Sequence, residues 1–131
     1  MNIERDQAIV VFMTAANREE ARRLAEMLVD RRLAACVQIM PEMESVYRWQ
    51  GKIERQTETL LIAKTVSAKF VELEAEVRRV HSYETPEIVA FPVDRRFSSV
   101  SRMVERGRRR SRSGRFLTLM LFWKRIRNLR D

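Results

Sequence analysis

The chain is poor in the residues that chemistry most often recruits. It holds one cysteine, Cys36, one histidine, His81, three glycines and three prolines. A single cysteine rules out an intramolecular disulfide framework and points to a reducing compartment. One histidine, one thiol and no glycine-rich phosphate loop leave little for a nucleophile–base pair or a nucleotide-hydrolysing site, so a non-enzyme is expected. The apolar run FLTLMLFW, residues 116–123, is far shorter than the ~20 residues a membrane-crossing helix needs, and no transmembrane segment is expected. The opening residues MNIERDQ are charged rather than basic and then apolar, unlike a secretion signal. A cytoplasmic protein is the resulting expectation.

What is present fits one folded unit with an appendage. At 131 residues and 45% hydrophobic, the chain can bury a core without covalent staples. The net charge of +8 is unevenly distributed: residues 1–93 carry 13 Lys and Arg against 15 Asp and Glu, and residues 94–131 carry 13 against 3. The two parts come to −2 and +10, so the basicity belongs to the tail and says nothing about the domain. We therefore expect a domain over 1–93 and a basic segment over 94–131, with a short helix from Ser98 to Arg106 before disorder. Within the tail, RGRRRSRSGR (106–115) has the composition of a disordered, phosphate-neutralising stretch, the one place where nucleic acid is a candidate partner.

Periodicity supplies the element order. AIVVFMT (8–14) reads as a buried strand. Asn17 with Glu20 three positions on forms a capping pattern, and Ala21, Leu24, Ala25 and Leu28 follow at helical spacing to about Arg32. LAACVQI (33–39) returns to strand character, with an irregularity expected at Pro41. SVYRWQGKIERQTETLLIAKT reads as a long hairpin turning at Gln50-Gly51-Lys52. A helix opening at Ser67 carries Phe70, Leu73, Val77 and Val80 on one stripe, and EIVAFPV closes as a strand. The order βαββαβ predicts an α+β, ferredoxin-like fold: one antiparallel sheet, both helices on one face, the other face bare and covered by further copies.

Four motifs in this order, LAACVQI, SVYRWQGKIE, ETLLIAKT and VHSYETPEIVAFPV, resemble the CutA family of divalent-cation tolerance proteins from about Ile9 to Val93. The resemblance implies a homotrimer whose long hairpins pair edge to edge, association with copper and other divalent ions, and no established catalytic reaction. The architecture is also similar to PII-type trimers, which sense small ligands at clefts between subunits; that likeness is one of fold alone. After Val93 the sequence departs from the family pattern, with Val100 and Met103 near where an aromatic pair is expected.

The candidate residues each admit two readings. His81, Glu84 and Glu87 offer one nitrogen and two oxygen donors for a divalent ion, or they are a helix exit in which Tyr83 packs and Pro86 fixes the strand entry. Cys36 is either a buried small hydrophobe or a soft ligand for Cu(I), with Met40 and Met43 nearby. Tyr47 and Trp49 alternate around Arg48 and so share one face of the hairpin, suited to anchoring a neighbouring subunit. Arg48, Lys52 and Lys64 form a solvated charged face, or the contacts for an anionic ligand such as a nucleotide phosphate in a PII-like role.

Overall fold

A computed structural model describes Arg5 and residues 7–94. It contains β1 (Ala8–Ala15), α1 (Arg18–Asp30), β2 (Cys36–Trp49), β3 (Lys52–Val66), a single 3-10 turn (Ser67–Lys69), α2 (Phe70–Val80) and β4 (Ile88–Pro92). The sheet order is β2-β3-β1-β4, with every neighbouring pair antiparallel. That is the expected βαββαβ arrangement. The helix expected at 98–106, the arginine-rich run 106–115 and the apolar run 116–123 lie outside the described residues.

The core follows from alternation. Ile9, Val11, Met13 and Ala15 of β1 and Leu61 and Ala63 of β3 point to the helical side, where Leu24 and Leu28 of α1 and Leu73 and Val77 of α2 cover them. Each of these large side chains contributes about 1.5–3 kcal/mol on leaving water. Val80, expected on the same stripe, is 46% exposed as the last residue of α2, while Val77 three residues earlier is fully buried. Ser67 was expected to cap α2; instead it starts the 3-10 turn, preceded by Val66, and no side chain caps that turn.

Helix α1 ends in a Schellman arrangement. The Arg32 N–H donates to Val29 O (3.1 Å) and the Leu33 N–H to Leu28 O (2.8 Å), with Arg32 in the left-handed region at φ 59°. Leu33 and Leu28 are both buried, the apolar contact that accompanies this motif. Residues 33–35 therefore are not the start of a strand, as their composition suggests; they lead out of the helix. They are nonetheless pinned to the sheet, because Thr65 Oγ1 donates to Leu33 O (2.7 Å) and the Ala35 N–H to Lys64 O (2.9 Å).

From Cys36 the strand continues unbroken to Trp49, passing Pro41 by a bulge: Met40 pairs with Leu60 but Met43 with Glu58, leaving one extra residue on β2. Glu42 takes positive φ there. The irregularity expected at Pro41 is thus a kink within one long strand and not its end. The hairpin turn is Gln50-Gly51 alone, at φ 48° and 78°, since Lys52 already pairs with Trp49.

The far side of the sheet is apolar and open. Register places Cys36, Lys64, Val10 and Phe91 in one row across it, and Gln38, Ile62, Phe12 and Val89 in the next. Phe12 and Phe91 meet edge to face with ring centroids 5.3 Å apart, yet remain 36% and 49% exposed.

Candidate functional site

The segment between α2 and β4 carries His81, Glu84 and Glu87, and its shape is set by Glu20 in the first turn of α1. Asn17 Oδ1 accepts from the Glu20 N–H (2.8 Å), the expected half of the capping pattern, while Glu20 Oε1 reaches past the cap residue and accepts from the Ala16 N–H (3.1 Å) instead of from Asn17 itself. Its other oxygen reaches across the fold and accepts from the Ser82 N–H at 3.0 Å. Burial pushes the Glu20 carboxyl up, but the hydrogen bonds from Ser82 and Ala16 outweigh it, and its pKa lies below the ordinary value. Glu20 was legible in the sequence as a cap. Its second role was not, because Ser82 is 62 residues away.

His81 ends α2, its N–H donating to Val77 O (2.9 Å), and its side chain is fully buried. Its partners assign the ring. Nδ1 accepts from the Tyr83 N–H (2.9 Å), a group that can only donate, and Nε2 meets Thr14 O (2.7 Å), a group that can only accept. The ring is therefore the neutral form with its proton on Nε2, 3.8 Å from Glu20 Oε1. Both nitrogens are occupied. The expectation that His81 offers a nitrogen to a metal meets a side chain already committed at both ends within the subunit.

The remaining donors do not gather around it. Glu84 and Glu87 are exposed. Cys36, expected as a buried thiol inside a strand, is the first residue of β2, half-buried, on the open sheet face beside Lys64. Among the described residues no three His, Cys, Asp or Glu side chains converge as a metal site. Within one subunit the donor set Cys36, His81, Glu84 and Glu87 thus makes no closed centre. Lys64 hydrogen-bonds Gln38, while Arg48 and Lys52 lie at the hairpin end, so the three cations do not form a single anion site either.

Sequence reading missed a polar chain running from this segment into the hairpin. Tyr83 Oη donates to Glu58 Oε2 (3.0 Å) and accepts from Gln56 Nε2 (2.8 Å), and Gln56 Oε1 accepts from Tyr47 Oη (3.1 Å). Burial, the bond to Glu58 and that carboxylate's charge push the Tyr83 phenol up to about 12. Glu58 and Gln56, two residues apart on β3, share a face with Tyr47, and alternation in ETE and RQT was the only signal available.

This geometry sits in a recognisable frame. The profile of the CutA1 divalent ion tolerance protein family matches residues 9–105. The chain belongs to that family. The match reaches 12 residues past Val93, where the motifs cease to follow the family pattern. The CutA1 chain is 48% identical over 85 residues to the divalent-cation tolerance protein CutA of Archaeoglobus fulgidus, covering 65% of this chain and 82% of that one. It is 44% identical over 86 residues to the chloroplastic CutA protein of Arabidopsis thaliana, covering 66% of this chain but only 47% of the relative. The solved Thermus thermophilus protein superposes with a TM-score of 0.68 at 41% identity, over 72% of this chain and 92% of that one. The solved Archaeoglobus protein, described as periplasmic, gives 0.67 at 41% identity over 75% and 95%. Relatives named for a chloroplast and a periplasm weaken the inference of a cytoplasmic location from one free thiol. No described helix is long and apolar enough to cross a membrane.

Proposed function

We propose that this CutA1 chain acts as a homotrimer that binds divalent cations, copper first, without catalysing a reaction. The family match carries the cation class. The observation that supports assembly is the open sheet face with Phe12, Met40, Val89 and Phe91 at 36–53% exposure, continued on the hairpin by Tyr47 and Trp49. Contiguous exposed apolar surface of this kind is buried by association, and a cyclic arrangement covers it without leaving an unpaired copy.

Because one subunit brings too few donors together, the cation is held where copies meet. Cys36 on the open face supplies a thiolate suited to Cu(I), and exposed Glu84 and Glu87 supply oxygens suited to harder ions. His81 joins only if it gives up the Tyr83 N–H or Thr14 O. The basic segment over 94–131 is an appendage to the four-strand sheet, and its part beyond the family match, after residue 105, is dispensable for folding. The protein works in a reducing compartment, where Cys36 stays a thiol.

Titrating Cu(I) and Cu(II) into the full chain and into Cys36→Ala, Glu84→Gln and His81→Ala variants tests the cation reading. Stoichiometric binding weakened by Cys36→Ala is expected. Undiminished binding in all three variants rejects the donor set.

A further inference from the structure

We infer that the chain Tyr47–Gln56–Tyr83–Glu58 forms a binding site for a guanidinium group, independent of the divalent-cation reading. Glu58 carries the inference. It is only 8% exposed, yet its single hydrogen bond comes from the neutral Tyr83 hydroxyl to Oε2 at 3.0 Å. Among the described residues, Oε1 takes no hydrogen bond and no Lys, Arg or His pairs with Glu58. A carboxylate withdrawn from water is stabilised by charged or multiple donors, and the subunit gives this one a single neutral donor.

The chemistry left open around Glu58 selects the ligand. Tyr83 spends its proton on Glu58 and Tyr47 spends its proton on Gln56, so any capacity left on either hydroxyl is acceptor only. Gln56 uses its oxygen for Tyr47 and one N–H for Tyr83. Nearly all the unused capacity is acceptor, which suits a ligand rich in N–H donors and disfavours an anion. One carboxylate with no second acidic or imidazole partner is too little for a divalent ion, consistent with the absence of a three-donor cluster among the described residues. Guanidinium fits better than ammonium: its planar fork matches a carboxylate bidentately, and it is weakly hydrated and stacks on aromatic rings such as those of Tyr47 and Tyr83. Tyr47 is 41% exposed and Gln56 half-buried, so the approach lies on the hairpin side.

Two sources present this group: a free small molecule, or the Arg48 side chain of a second copy, since Arg48 forms no ion pair among the described residues. Calorimetric titration of methylguanidinium chloride into the full chain at constant ionic strength separates them, with tetramethylammonium, which has no N–H, as control. Saturable methylguanidinium binding by the wild type identifies a free ligand. It should weaken about tenfold or more in Glu58→Gln, the scale of one hydrogen bond to a charged group, and several-fold in Tyr83→Phe. A silent wild type with binding gained in Arg48→Ala, and lost again on adding Glu58→Gln, identifies the neighbour's side chain. No saturable binding in either wild type or Arg48→Ala overturns the inference. So does binding that Glu58→Gln and Tyr83→Phe leave unchanged, or equal binding of tetramethylammonium. Copper titration of the same samples reports on the metal separately.

Discussion

Replacing Glu20 tests how the site segment is held. In Glu20→Ala the Ala16 and Ser82 N–H groups lose acceptors at 3.1 and 3.0 Å in a region where Glu20 is 5% exposed. A hydrogen bond to a charged group is worth about 1.5–3 kcal/mol. With water replacing part of each bond, the loss should total about 2–4 kcal/mol. One residue earlier, Glu19 pairs with Arg23 at 3.3 Å in full solvent, and Glu19→Ala should change stability by less than about 0.5 kcal/mol. Urea unfolding at fixed protomer concentration measures both, since association would otherwise shift the midpoint. The pH dependence has a definite sign. The folded pKa of Glu20 is below its ordinary 4.5, so its contribution is complete above that value and disappears as pH falls through the folded pKa. The gap between wild type and Glu20→Ala should therefore be constant at neutral pH and close only in acid. A loss below about 0.5 kcal/mol, no larger than for an ordinary surface change, would refute the clasp.

Other expectations follow from single features. Tyr83→Phe leaves the buried Glu58 oxygen without its donor and should lose about 1–3 kcal/mol of stability. In absorbance titration at alkaline pH, the phenol missing from that variant should be one that ionises near 12; because the folded pKa is raised, its stabilising contribution is full below 10 and fades as pH rises toward 12. Arg32→Gly relieves a side chain held at φ 59° and should stabilise by about 0.5–1 kcal/mol in the same urea assay. Leu61→Ala, at a fully buried position against both helices, should lose about 2–5 kcal/mol and lower the melting temperature.

The sequence made element order legible because each segment has one dominant period. Ile9, Val11 and Met13 alternate, and Leu24 and Leu28 recur at helical spacing, so strand and helix could be told apart without knowing their partners. It failed where a nonlocal bond overrules composition: Leu33–Ala35 look like a strand but are held by Thr65 and Lys64 as a helix exit. The candidate site was legible as a segment and not as a mechanism. His81 stood out by rarity, yet its ring nitrogens answer to Thr14 and Tyr83, and the Thr14 contact crosses 67 residues. Glu58 and Gln56 carry no signal of their own in the hairpin arm; their role depends on Tyr83, 25 and 27 residues away in the α2–β4 segment.

Native mass spectrometry of the full chain, without and with added copper, addresses assembly and cation binding in one measurement. A dominant species at three times the 15.6 kDa chain mass, gaining a defined number of copper ions that Cys36→Ala reduces, is the expected result. A folded 15.6 kDa monomer that persists at micromolar concentration, or a trimer that takes up no copper, would contradict it.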